Sequence, residues 1–512
     1  MTTTHQRARP YVYLWTGEAN SERIDLSDDV VSMQVSKPLD APAGSWTIQL
    51  MPRQGTALSS LADVRRFAHL YRLIQPNHVV SLGFEEPGGI MLGLVDSVDK
   101  SRDLSGPQVA QSLTIRGRDL GKLLVQDDLI HASVTVDTYA EFRKKITEGL
   151  GADHPILVDL LGIWGPQGRD GTPAFEGKGV KEVVDFILDH AGSIELPALA
   201  AATGGTGKAS DSIGTAGSIT TWDDDRIYSD RPLFYQGSLW GFLWSVLDRD
   251  FYEARLDCRP KSHTTSGVPF VELIIRPKPF DEQEAQFVKV KELTGIGWDD
   301  LRTLVTDERY HTIPEDELLA ESLGVTDADA ASYYLITSEH DLIGNPSSMA
   351  EGLFYPLVDT FSAKRFGMRT LQSQLSLVSG DFASKVSAAG TEDTGEVTEA
   401  VRDKRGRLFN WNRTNPWYEN GSIRVSGHDY YRPGDRVYLP WSLPKIVPSG
   451  HIEPGDGLHF YVAGVSWDWS FGGMFGVSLS LQRGHNSAVL AAIKERIRDD
   501  APASNPDHFA SS

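Results

Sequence analysis

Phe460-Tyr-Val-Ala-Gly-Val-Ser-Trp-Asp-Trp469, Ser470-Phe-Gly-Gly473 and Met474-Phe-Gly-Val-Ser-Leu-Ser-Leu-Gln-Arg-Gly484 follow one another without a break near the end of the chain. Val465, Trp467 and Trp469 alternate with Ser466 and Asp468, and Val477, Leu479 and Leu481 alternate with Ser478, Ser480 and Gln482. A period of two puts the apolar side chains on one face of an extended backbone, so each stretch reads as a half-buried strand. The Gly-containing connection makes the pair a hairpin. Just upstream, Tyr431-Arg-Pro-Gly-Asp-Arg-Val-Tyr-Leu439 sets Pro433 and Gly434 in a tight turn that feeds a strand at Val437–Leu439. Ser422–Ser426 alternates as well.

The first 125 residues carry the same signature. Tyr11–Trp15, Val30–Lys37 and Ser45–Met51 alternate, Val79–Phe84 and Ile90–Val98 flank the turn Glu85-Glu-Pro-Gly-Gly89, and Ser112–Gly117 follows as a closing strand. Leu61, Val64, Phe67, Ala68 and Leu70–Tyr71 fall at helical spacing, which predicts one helix between the strands. A closed or nearly closed antiparallel barrel with one flanking helix fits, because closure removes sheet edges.

Between these ends the period changes. Thr138-Tyr-Ala-Glu141 is a capping box for a helix through Tyr139, Phe142, Ile146 and Leu150. Helices are predicted at Val180–His190 and Leu239–Leu247, with strands at 251–258 and 268–276. Ala198–Thr221 is nearly all Ala, Gly, Ser and Thr, and reads as a flexible loop that buries too little apolar area to order. Another helix is expected over Glu396–Asn410 and a short one after Val489. The expected organisation is therefore α+β, predominantly β: a barrel over 1–128, a mixed α/β lobe over 129–290 with its loop at 198–221, a second barrel with a helical insertion over 291–485, and a short helix with a frayed tail over 486–512.

Composition narrows the function. At 512 residues the chain expects several cores rather than one. Its apolar runs fall short of the roughly 18–20 residues of a membrane span, and Met1–Pro10 lacks the apolar core of a signal peptide, so a soluble protein made in a cytoplasm is expected. The single cysteine, Cys258, rules out intrachain disulfides and reads as a buried thiol. A net charge of −21 opposes stable nucleic-acid binding, which depends on Lys and Arg at phosphates. Around a channel for DNA the same acidity would repel the backbone and let it slide.

Motifs with chemistry fail their own spacing. Ala202-Thr-Gly-Gly-Thr-Gly-Lys208 has Ala where a phosphate loop needs its first Gly, and Ala209 where it needs Ser or Thr. Gly237-Ser-Leu-Trp-Gly241 puts Ser238 second rather than third, as a helix N-cap and not a nucleophile elbow. Asp223-Asp-Asp225 with Asp230 lacks calcium-loop spacing, and histidines such as His311 and His340 read as surface or interface residues. The reading contains no catalytic residue, no cofactor and no metal site.

The quoted C-terminal stretches, with Phe251–Asp257 and Val268–Phe280, resemble segments of phage tail hub proteins. Ile90–Val98 followed by Leu113-Thr-Ile-Arg-Gly-Arg-Asp-Leu120 resembles that family's first barrel and its exit. Tyr355-Pro-Leu-Val-Asp359 with Lys364-Arg-Phe-Gly-Met-Arg369 resembles the entry to its second. The resemblance implies a non-enzymatic virion protein assembled in the host cytoplasm: a homotrimer with two tube-like barrels per subunit. Its implied partners are the tail tube or distal tail protein, tip, spike or fibre proteins and a tape measure protein, with DNA passing through and no membrane span. A tail-associated glycan or peptidoglycan hydrolase, and the hub of a bacterial contractile injection system, are the alternative readings.

Overall fold

The computed structural model describes residues 9–17, 23–39, 41–51, 69–84, 88–103, 110–126, 128–131, 179–191, 195–205, 207–215, 219, 221, 226–227, 235–263, 269–280, 310–337, 357–374, 377–378, 404–428, 430–440, 445–446, 452–453, 457–473 and 475–486. The first part is six strands: β1 (Pro10–Trp15), β2 (Val30–Pro38), β3 (Ser45–Leu50), β4 (Val79–Phe84), β5 (Gly88–Asp103) and β6 (Ala110–Asp119). The middle contributes a long antiparallel hairpin, β7 (Tyr252–His263) and β8 (Pro269–Pro277). The last part is again six strands: β9 (Tyr310–Thr312), β10 (Leu318–Val325), β11 (Glu419–Ser426), β12 (Arg436–Leu439), β13 (Leu458–Ser470) and β14 (Gly476–His485). The fold is predominantly β with few helices, as expected. β5 runs well past the Ile90–Val98 window read from sequence.

The twelve strands of the first and last parts, with the short strand Ile24–Asp25, form one 13-stranded sheet. The first part runs β2-β3-β6-β5-β4-β1 and the last runs β10-β11-β14-β13-β12-β9, so one order is used twice. The match extends to single residues. The β2·β3 ladder slips between Val30 and Ser32, and the β10·β11 ladder slips between Leu318 and Ala320. The β5·β6 ladder slips between Val95 and Ser97, and β13·β14 between Val462 and Gly464. A 3-10 turn precedes β2 at Ser27–Asp29 and β10 at Glu315–Glu317. In strand direction only the outermost pair differs: β1 is antiparallel to β4, whereas β9 is parallel to β12.

One ladder joins the two parts. β13 pairs antiparallel with β2 from Gly464↔Pro38 to Ser470↔Ser32. The inner faces of both parts then share a single core, in which Val35, Trp46, Ile48 and Ile115 lie with Ile423, Val425, Trp467 and Leu479. The middle region covers the other face of β4 and β5, packing Val183, Ile187, Phe242, Leu243 and Leu273 against Val79, Leu92 and Leu94. β4 is buried along its whole length for that reason, since a strand covered on both faces has no solvent side.

The helices at Val180–Ala191 and Leu239–Val246 form as expected, with Val183, Val184, Ile187 and Leu188 turned inward. Ala198–Thr221 differs from the loop reading. It holds a helix at Pro197–Thr203, a one-turn helix at Ala209–Ser212 and a short strand, Ile213–Gly214, parallel to β8. Alanine is the best helix former, and Ala198, Leu199 and Ala202 bury a small face where bulk does not fit: a Cβ on Gly17 would lie 2.4 Å from the Ala198 nitrogen. The capping box at Thr138–Glu141, most of the Leu61–Tyr71 helix, the helix after Val489, Asp223–Asp225, Asp230 and His340 lie outside the described residues. No described helix is long and apolar enough to cross a membrane.

Candidate functional site: the joints between the parts

Three polar clusters hold the joints: one lies within the first part, at its exit, and two buried ones tie the middle region to the first and last parts. The first is the Gly117-Arg-Asp-Leu120 exit. Gly117 lies under the Trp46 ring, where a Cβ would come within 2.4 Å of it. Arg118 grips Asp96 through Nε (2.9 Å) and Nη2 (3.2 Å), and Lys122 reaches the same carboxylate at 2.8 Å. Asp119 accepts the backbone N–H groups of Gly44 and Gly121, both at 2.9 Å, and so ties the entry of β3 to the helix Gly121–Gln126. Burial holds the Asp119 carboxyl above its ordinary range despite Lys37 nearby.

The second cluster lies behind the joining ladder. Lys37 of β2 is buried, and its Nζ sits 3.8 Å from the Cys258 Sγ on β7. Burial pushes the Cys258 thiol up, more than Lys37 draws it down, so the group is a packed neutral thiol and a poor nucleophile. That is the buried thiol expected from sequence.

The third cluster fastens the hairpin to the last part. Glu253 of β7, fully buried, accepts from Arg255 Nη1 at 2.7 Å, from Arg276 Nε at 2.5 Å and from the Tyr461 hydroxyl. Burial alone would raise its carboxyl; the Arg276 and Arg255 charges outweigh that and hold it below the ordinary range. Arg276 also donates to the Gly434 carbonyl at 2.8 Å, and Arg432 pairs with Asp257 at 3.4 Å. Gly434 is at φ +82, and a Cβ there would meet Arg255 Nη1 at 2.5 Å. Beside it Asp435 Oδ2 accepts the Arg432 N–H and lies 2.9 Å from His311 Nε2. His311 is therefore buried under Tyr430 and Tyr431, not at the surface. A carboxylate below its ordinary range, sealed from solvent and held by three donors, is set up to hold position rather than to take or give protons.

The other sequence motifs resolve simply. Ser238 caps the helix Leu239–Val246, its Oγ accepting the Gly241 N–H at 3.1 Å. Of the Ala202–Lys208 run, Ala202 and Thr203 end one helix, and Gly204 and Gly207 are at positive φ. Among the described residues no group of three or more His, Cys, Asp or Glu could hold a metal ion. The third cluster was missed from sequence, although Glu253, Arg255 and Asp257, alternating with apolar residues over Phe251–Cys258, were a visible sign of buried pairing.

No protein-family model matches the chain, and no curated protein matches it in sequence. Solved structures do match in outline. A tail protein from Neisseria meningitidis is 10% identical with a TM-score of 0.42, covering 93% of this chain and 97% of that one. A 43 kDa tail protein of a Shewanella oneidensis prophage gives the same figures. An Escherichia coli component of the type VI secretion system is 9% identical with a TM-score of 0.36, covering 90% of this chain and 74% of that one. These are tail and secretion-system proteins. Similarity at this level describes an outline and assigns no activity.

Proposed function

We propose that the chain is a structural, non-catalytic protein of a phage-type tail: a hub that closes with two further copies into a ring between the tail tube and the tail tip. The observation that carries this reading is the repeat, one six-strand order used twice in one chain and joined edge to edge by the β13·β2 ladder. In it, each six-strand part is a tube-like barrel, within 1–128 and 291–485. The 129–290 lobe braces both, and 486–512 is a short tail. Three chains then give six barrels around one hole, which suits a tube on one side and a threefold tip on the other. A charge of −21 suits a hole lined by Asp and Glu, through which DNA passes without holding. Tube or distal tail, tape measure, spike and fibre proteins are the neighbours of such a ring.

Imaging the assembled particle with a label on this chain tests the proposal. The expected result is a single threefold ring at the junction of tube and tip. Label spread along the tube, or a ring with a strongly basic hole, would overturn it.

A further inference from the structure

β10 is an eight-residue strand at the end of the sheet, paired on one side with β11 and, among the described residues, on the other side with nothing. Most of its residues are exposed, Val325 at 60%. The distal half of β5, Ser97–Asp103, is open in the same sense: β6 lies along one edge, while β4 covers only the Gly88–Leu94 stretch of the other. Open edges of this length are sites for pairing with another chain.

The repeat says what each open edge fits. β5 corresponds to β13 and β2 corresponds to β10, through the shared slips in their ladders. Within the chain the distal half of β13 pairs with β2. Among the described residues each chain therefore contains one used joint and the two unused halves of a second, equivalent joint.

We propose that β10 of one copy adds antiparallel to the distal half of β5 of the next copy, reproducing between chains the β13·β2 ladder seen within one. This rests on the ring reading above and specifies its interface. The internal register transfers residue by residue. Trp469↔Met33 becomes Arg102↔Glu321, Trp467↔Val35 becomes Lys100↔Leu323, and Val465↔Lys37 becomes Val98↔Val325. Chemistry agrees with this transfer. The register sets Arg102 opposite Glu321 with Lys100 two residues along, and Val98 opposite the exposed Val325. Glu321 sits near Glu419; burial and then that like charge hold its carboxyl above the ordinary range, a strain that an arriving cation relieves. Two β10 strands meeting each other would bring Glu321 toward its own copy instead. The joint is head-to-tail, with one free head and one free tail per chain, which is the requirement for a closed ring.

Cysteine cross-linking tests it in the full chain, since the one native cysteine is buried. Lys100→Cys and Leu323→Cys in the same chain should oxidise to a covalent ring of three, and the two single variants mixed should give covalent dimers. Lys100→Cys with Ser322→Cys, one residue out of register and facing the other side, should give little of either. A trimer in light scattering without the Lys100–Leu323 cross-link overturns the register and leaves the ring standing. A strictly monomeric chain, or Leu323→Cys joining only to itself, overturns both. As a second readout, Glu321→Arg or Arg102→Glu alone should weaken self-association about tenfold, and the two together should restore it. Additive weakening in the double variant counts against the pair.

Discussion

β2 and β10 hold the same place in the repeat, follow the same 3-10 turn and slip at the same point, yet they meet opposite environments. β2 buries Met33, Val35 and Lys37 under the joining ladder, while the matching Glu321, Leu323 and Val325 of β10 are left largely open. Burial here is not a property of the strand but of what lies beyond it. The corners before β4 and β12 make a second comparison. Asn77 (φ 67) and Gly434 (φ 82) both turn left-handed, and each gives its N–H to the strand opposite, to Val95 and Val462 respectively. At the first corner the Asn77 side chain accepts from Lys122 Nζ at 2.8 Å. At the second, that space belongs to Arg255 and Arg276, held by Glu253.

The largest break in this comparison comes from Glu253. Glu253→Ala leaves two buried guanidinium groups without their counter-charge and should cost about 3–5 kcal/mol in denaturant unfolding. A loss below about 1 kcal/mol would show that the cluster is not what fastens the hairpin to the second corner. Acid sharpens the same point. Glu253 is depressed in the folded chain, so its contribution is full above the ordinary Glu value and is lost as pH falls through the folded value. The stability gap between the native chain and Glu253→Gln should therefore be widest near neutrality and narrow on acidification. A gap that widens toward low pH contradicts the assignment.

Strands were legible because alternation is local: Val30–Lys37, Ser45–Met51, Phe460–Trp469 and Met474–Gln482 each declare a buried face within a few residues. The β13·β2 ladder was not, because nothing in Val465 or Trp467 names a partner more than 400 residues away in sequence. The repeat was hidden for a related reason. Equivalent positions hold Met33 and Glu321, or Trp467 and Lys100, so the two parts share backbone geometry and not side chains. His311 was misread because its burial depends on Asp435, which only the fold brings near. The helix Pro197–Thr203 was not legible because small side chains carry little apolar area, though they pack where larger ones would clash.

The smallest effects should come from exchanging the two corner residues. Both Asn and Gly tolerate positive φ, so an exchange changes what the corner touches and leaves the backbone little strained. Gly434→Asn would press a Cβ into Arg255 and Arg276; moving either weakens a charged hydrogen bond to Glu253, so about 2–3 kcal/mol is expected. Asn77→Gly removes one acceptor from Lys122, which keeps the Val95 carbonyl at 2.9 Å and Asp96 at 2.8 Å, so about 1 kcal/mol is expected. Denaturant midpoints of the two variants, measured side by side, decide the matter. Equal losses would mean that the corners are fastened alike, and that the charge cluster around Gly434 adds no rigidity which the Asn77 corner lacks.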